Sequence, residues 1–253
     1  MKSNNNYAIE KGFEPISSSQ MYDIENKGDS IYSMKKILMM ENAGSRVADF
    51  LIDDFKENIL NKSIVAVCGK GNNGGDALVA IRHLSGYILA RNKSNSRSNL
   101  SVILLCRPEE LKTPESSLNW QIISKMESVR KFTLESNDIT EIADEIKKSN
   151  IILDGILGTG IKGEIKEPFS KVIDVINYNK ETSFILSVDI PSGLDPDSGK
   201  IIDKAINADA TITFHRPKHG ILKNLEYAGK LIVKKIGIPF ESEKGVALKE
   251  HES

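Results

Sequence analysis

Three short apolar runs in this chain each end in a polar loop whose residue types could do chemistry. Val65-Ala-Val-Cys68 empties into Gly69-Lys-Gly-Asn-Asn-Gly-Gly-Asp76. Ile151-Ile-Leu153 leads into Asp154-Gly-Ile-Leu-Gly-Thr-Gly-Ile-Lys-Gly163, and Phe184–Val188 into Asp189-Ile-Pro-Ser-Gly-Leu-Asp195. A glycine-dense loop between a strand and a helix exposes bare backbone N–H groups, which suit a phosphate or another anion. Two such clusters, Gly69–Asp76 and Gly158–Gly163, could serve the two halves of a dinucleotide, or its pyrophosphate and a polar ring substituent. Thr159 and Lys162 are available to reinforce the second. Asn73, Asp154 and Ser192 are oxygen donors at three strand ends. With loop carbonyls they could cage a hard cation, and one carboxylate among them favours a monovalent ion over a transition metal. Asp189 closes its strand just before Pro191, where extended backbone is expected, so its carboxylate can project into the cleft as a general acid/base.

Familiar ligand fingerprints are incomplete here. Gly69-x-Gly71-x-x-Gly74 satisfies the dinucleotide pattern, but the acid expected about 20 residues on is missing. No Asp or Glu occurs between Asp76 and Glu109. Nor does Gly-Lys-Ser/Thr close the loop, so a nucleotide-hydrolysing P-loop has no anchor. Plainer roles compete for the same residues. The glycines could form only a tight turn, Asp154 and Asp189 could cap loops and helices, and Ile190–Gly193 could be a rigid turn. His215 and His219 are spaced for metal binding on a helix, yet Pro217 lies between them. Lys218 could bind phosphate or simply be solvated, as could Lys70. Met39-Met40 reads as helix packing or a subunit contact.

The elements that must position these loops follow from periodicity. Apolar residues Met34, Leu38, Val47, Leu51 and Phe55 recur at helical spacing. Strands are expected at 64–68, 100–106, 151–154, 184–189, 210–214 and 231–236. Helices are expected at 75–90, 117–128 and 139–148 and through Val172, Ile173 and Ile176, with a polar loop at 91–99. Strands alternating with helices imply right-handed crossovers, hence an α/β fold: a Rossmann-like three-layer αβα sandwich around a mostly parallel sheet. In such a sheet ligands bind beyond the carboxyl ends of the strands, so the three loops converge on one cleft. Residues 1–16 read as a flexible arm, 17–240 as the domain and 241–253 as a polar tail.

Composition narrows the class. At 253 residues with 40% apolar content, the chain supports one large core. Lys+Arg 34 against Asp+Glu 35 leaves no global basic field for nucleic acid. Cys68 and Cys106 suggest neither a disulfide framework nor a zinc site. Met1–Tyr7 lacks the apolar core of a signal peptide, and no run of about eighteen apolar residues suggests a membrane span. A soluble, cytoplasmic protein is expected.

Five motifs occur in order: Leu38-Met-Met-Glu-Asn-Ala-Gly44, Gly71-Asn-Asn-Gly-Gly-Asp76, Asp154-x3-Gly-Thr-Gly160, Val188-Asp-Ile-Pro-Ser-Gly-Leu-Asp195 and Thr213-Phe-x2-Pro-Lys-x-Gly220. Together they resemble the NAD(P)H-hydrate epimerases, the YjeF N-terminal domain family, from about Ser17 to Pro239. The resemblance implies a Rossmann-like domain that interconverts the R and S forms of hydrated NADH and NADPH. It implies substrate binding by Asn72, Asn73, Gly74, Gly75 and Asp76, by Gly158, Thr159, Gly160, Ile161, Lys162, Gly163 and Glu164, and by Asp189. It implies potassium held by Asn73, Asp154 and Ser192, a stand-alone epimerase partnered by a separate dehydratase, and a homodimer. Lys70 stands where the family usually has proline and Ala77 where glycine is common; neither change removes a group the chemistry needs. The hydrate is a hemiaminal, whose configuration scrambles through an iminium ion or by ring opening. Either route needs one proton donor/acceptor near the oxygen, the role that falls to Asp189. The other class of answer is a non-catalytic Rossmann-like scaffold binding a nucleotide or RNA. Such a scaffold has no physical need for Asn73, Asp76, Asp154 and Asp189 together.

Overall fold

The apolar runs become the strands of one sheet. The computed structural model describes residues 13–91, 99–160, 163–201 and 203–247. Its strands are β1 (Ile64–Cys68), β2 (Leu100–Leu104), β3 (Val129–Thr133), β4 (Ile151–Gly155), β5 (Phe184–Val188), β6 (Ala210–Phe214) and β7 (Lys230–Lys234). They stand in the order β3-β2-β1-β4-β5-β6-β7, each neighbouring pair parallel. All five residues of β1, β2, β4 and β6 are buried, as expected of strands covered on both faces.

Alternation along β1 shows the layers. Ile64, Ala66 and Cys68 pack with Leu51 of α2 (Lys36–Phe55) and with Leu78, Ile81 and Leu84 of α3 (Asn72–Arg91). Val65 and Val67 face the other way, toward Ile142 and Ile146 of α5 (Ile139–Lys147) and Val172, Ile173 and Ile176 of α6 (Phe169–Tyr178). Trp120 of α4 (Pro114–Ser124) joins the first core. The result is the Rossmann-like three-layer arrangement.

Several boundaries differ from the sequence reading. Strand β3, Val129-Arg-Lys-Phe-Thr133, was not expected, because two charges interrupt it. It lies at a sheet edge, where charges are tolerated and discourage pairing with another chain. Helix α1 (Ser18–Tyr32) was also unforeseen, although its capping box is in the sequence: Ser17 Oγ accepts from the Gln20 N–H while Gln20 Oε1 accepts from the Ser17 N–H. Ile16 just before it is buried and bridges to Lys218, so the flexible arm expected at 1–16 does not extend to its last residue. The polar tail expected at 241–253 likewise starts inside the fold. Glu243 is fully buried, paired with Arg216 and 2.8 Å from His215 Nε2. Residues 1–12, most of the 91–99 loop and residues 248–253 lie outside the described residues.

Strand order reverses between β1 and β4, so the loops leaving these two neighbours diverge and open a crevice at their carboxyl ends. The roof of that crevice depends on close helix packing. A Cβ on Gly44 of α2 would lie 2.4 Å from Val79 Cβ and 2.5 Å from the Asp76 carbonyl oxygen on α3. Gly44→Ala is therefore expected to lower the free energy of unfolding by about 1–3 kcal/mol, read from denaturant titration.

Candidate active site

The crevice holds a cleft of about 640 Å³. Its lining includes Asn72, Asn73 and Asp76 from the start of α3, Ile156 to Gly160 after β4, Asp189 after β5 and Lys218 after β6. Backbone contact fixes the two central loops together. Gly69 N–H donates to the Gly155 carbonyl at 3.0 Å, and a Cβ on Gly69 would meet the Ile156 oxygen at 1.8 Å. A Cβ on Gly74 would meet the Gly69 oxygen at 2.4 Å. These glycines thus permit loop-on-loop packing as well as access to backbone N–H groups.

Asp189 is the best-held polar group in the cleft. Its backbone is in the left-handed region, with φ 60°, instead of the extended conformation expected before Pro191. A non-glycine residue rarely adopts that conformation, and aspartate tolerates it better than most. The turn aims the carboxylate back over β6. Oδ1 accepts from Thr213 Oγ1 at 3.1 Å and from the Phe214 N–H at 3.2 Å. It also accepts from Lys218 Nζ, whose ammonium donates in addition to Thr213 Oγ1 at 3.2 Å. Lys218 is only 2% exposed, which excludes the solvated role allowed by the sequence. Its signal was present in Pro217-Lys218, but the pairing across 29 residues was not. Asp76 is buried nearby; burial, aided by the negative charges of Asp189 and Glu25 and opposed by Lys218, pushes its carboxyl well above the usual range.

A second cluster lies beneath the cleft floor. Asp154 is fully buried at the end of β4. Its carboxylate accepts from Ser187 Oγ at 2.8 Å, from the Ser192 N–H at 2.9 Å, from Ser192 Oγ and from the Ile156 N–H at 3.3 Å. Burial raises its pKa, and these donors oppose the shift. Asn73 Nδ2 donates to the Leu157 carbonyl at 3.0 Å, and Ser192 Oγ reaches the same oxygen at 3.2 Å. The structure therefore gathers Asn73, Asp154 and Ser192 around Leu157. Asn73 Oδ1 is buried without a hydrogen-bond partner.

Other expected residues separate. Gly158, Thr159 and Gly160 line the cleft, Ile161 and Lys162 lie outside the described residues, and Gly163 and Glu164 are exposed beyond the lining. Gly74 and Gly75 sit in the first turn of α3, with Gly75 backed by Met40 and Ser116. Lys70 is at the rim, paired with Glu110 at 2.8 Å. His215 faces Glu243, and burial lowers its pKa to about 4. Sequence reading missed Glu25, a lining residue on α1; Met21 one helical turn earlier is its only sequence signal.

A parallel sheet reversing beside a glycine-rich loop and a helix N-terminus defines a Rossmann-like nucleotide-binding class of site. The family model described as YjeF-related protein N-terminus matches residues 36–220, and the chain belongs to that family. It is 43% identical over 231 residues to the NAD(P)H-hydrate epimerase of Nitrosopumilus maritimus, covering 91% of this chain and 99% of that protein. The NAD(P)H-hydrate epimerase of Cenarchaeum symbiosum is similar to the same extent. The bifunctional NAD(P)H-hydrate repair enzyme Nnr of Pyrobaculum aerophilum is 36% identical, with 91% of this chain aligned to 43% of that one. Among solved structures, the crystal structure of yeast ynu0 superposes with a TM-score of 0.70 at 26% identity, covering 83% of this chain and 84% of the other.

Removing the ammonium beside Asp189 leaves a carboxylate that is 18% exposed without its charge partner. Lys218→Met is expected to destabilise the fold by about 2–4 kcal/mol at neutral pH, toward the lower end of a buried-pair loss because Asp189 retains some water access. Denaturant unfolding checks this value.

Proposed function

We propose that this chain is an NAD(P)H-hydrate epimerase, an isomerase that interconverts the R and S forms of hydrated NADH and NADPH. The observation that carries the reading is the Asp189 carboxylate, fixed by Lys218, Thr213 and the Phe214 N–H at the cleft wall. Near-complete alignment with two named epimerases supports it. In the hydrate, the hydroxyl-bearing carbon adjoins the ring nitrogen. Loss of water or ring opening erases its configuration, and reversal on the other face inverts it. Asp189 exchanges the proton at that oxygen, while the first turn of α3, Asn72–Asp76, and the loop Gly158–Gly160 hold the remote nucleotide in place. No electron transfer occurs in either route.

The Asn73–Asp154–Ser192 cluster fits a potassium ion. Its donors are all oxygens, it contains one carboxylate, and Asn73 Oδ1 is buried and unpartnered. When bound, the ion would supply fixed positive charge beneath the cleft. Asn73, Asp154, Ser192 and the Leu157 carbonyl would hold it, and so brace the loop after β4.

A separate dehydratase is the proposed functional partner, consistent with the bifunctional relative, and a cytoplasmic location belongs to the same proposal. Among the described residues no helix is long and apolar enough to cross a membrane. We further propose a homodimer, for which exposed Tyr22, Ile31, Tyr32 and Leu38 offer apolar surface on α1 and α2.

Mixed R and S hydrate supplied with an S-specific dehydratase should stall once S is consumed. Added protein is expected to restore rapid consumption, and Asp189→Asn to lower that rate by about 10²–10⁴-fold with the fold intact. An unrelieved stall, or a fully active Asp189→Asn, contradicts this mechanism. For the ion, the unfolding temperature is expected to rise in potassium chloride relative to choline chloride. The gain approaches about 2.7 kcal/mol at a hundredfold excess over Kd, and Asn73→Ala removes it.

A further inference from the structure

The cleft carries more acid than the Asp189 mechanism uses. Glu25 lies on α1, ahead of the residues matched by the family model, and lines the cleft together with Asp76, Asp189 and Lys218. Four charged groups from four elements act on it or on its neighbours: Lys218 after β6, Asp189 after β5, Lys36 at the start of α2 and Asp76 on α3. Burial dominates, and Lys218 and Lys36 only partly offset burial and the charge of Asp189. Glu25 is thereby raised to about 7. At neutral pH it can both give a proton and take one back.

Inversion at the hemiaminal carbon requires two opposite proton movements. The departing hydroxyl must gain a proton, and the water that returns on the other face must lose one. One carboxyl near the oxygen suffices for ring opening, but in the iminium route two carboxyls in one cleft can divide these movements between the two faces of the ring. Resting on the epimerase reading, we propose that Glu25 is a second catalytic residue, exchanging protons with the hydrate oxygen on the face of the ring opposite Asp189. In one direction Glu25 protonates the hydroxyl, the C–O bond breaks, and its electron pair leaves with water. The ring-nitrogen lone pair forms the C=N bond of an iminium ion. Water then attacks the other face, the C=N pair returns to nitrogen, and the surplus proton passes to Asp189. One water leaves, one enters, and nothing is oxidised. The reverse direction swaps the two acids, and proton exchange with solvent resets them. Carboxylates around the ring also suit a cationic intermediate.

The test is the pH dependence of kcat and KM for wild type, Glu25→Gln and Glu25→Asp, using resolved R hydrate with chromatographic separation of R from S. Wild-type kcat/KM, which reports the free enzyme, is expected to fall as pH rises through about 7. Glu25→Gln is expected to lose about a hundredfold or more in kcat, with KM little changed, and to lose that alkaline limb. Glu25→Asp should recover part of the rate and retain a limb, displaced in pH. The folded state is checked independently. The raised acid favours folding below the ordinary glutamate pKa, and that contribution is lost as pH rises through about 7. Glu25→Gln should therefore be at least as stable as wild type in mild alkali. A near-normal kcat in Glu25→Gln would overturn the proposal, as would a slow Glu25→Gln whose limb is unchanged. If Glu25→Gln failed to fold, an undisplaced limb in Glu25→Asp would also overturn it. Wild type that never equilibrates the hydrates removes the epimerase reading itself, a result distinct from normal wild type beside a normal Glu25→Gln.

Discussion

The backbone hydrogen bond from Gly69 to the Gly155 carbonyl joins the loops after β1 and β4 at the point where strand order reverses. No side chain fits there, since a Cβ on Gly69 would overlap the Ile156 oxygen. The part of the cleft between β1 and β4 depends on that contact. It aims the first turn of α3 and its N–H groups at the space above the sheet. It also brings Leu157 within reach of both Asn73 and Ser192. A glycine pattern that resembles a dinucleotide fingerprint is therefore first a packing device, and the ligand uses the backbone that the packing leaves open.

Charge is the second organising constraint. Glu25, Asp76 and Asp189, three of the four carboxyl groups in the cleft lining, share it with the buried ammonium of Lys218. Their environments diverge. Asp189 has the ammonium against it, Asp76 is driven upward by burial and its acidic neighbours, and Glu25 is raised to about 7. Such divergence is how neighbouring carboxyls come to play different proton roles in one reaction. Asp154 stands apart, already accepting four hydrogen bonds beneath the floor, which suits a structural or ion-holding part.

Much of this fold was legible before the structure. Strands β1 and β6 match their sequence-derived bounds, β1 as an unbroken apolar run and β6 as a short β-branched stretch in which threonine alternates with apolar residues. Strand β3 was hidden by Arg130 and Lys131, which belong to an edge and not to a core. Helix α1 was hidden by its mixed composition; its capping box was readable but its packing was not. The site divided the same way. Asn73, Asp154, Ser192 and Asp189 announce themselves at strand ends, where α/β ligands bind. Lys218 and Glu25 do not, because their roles come from contacts between segments far apart in the chain. The left-handed turn at Asp189 was likewise invisible, since the restriction imposed by Pro191 falls on Ile190 and leaves Asp189 free to turn.

The most direct measurement of the central claim starts from purified R NADH hydrate in potassium buffer, with R and S followed by chromatography. Relaxation to the same R/S mixture reached spontaneously, at a rate proportional to the concentration of this protein, is the expected result. Relaxation at the buffer rate, with the protein folded and potassium present, would contradict an epimerase cleft and leave only a binding site.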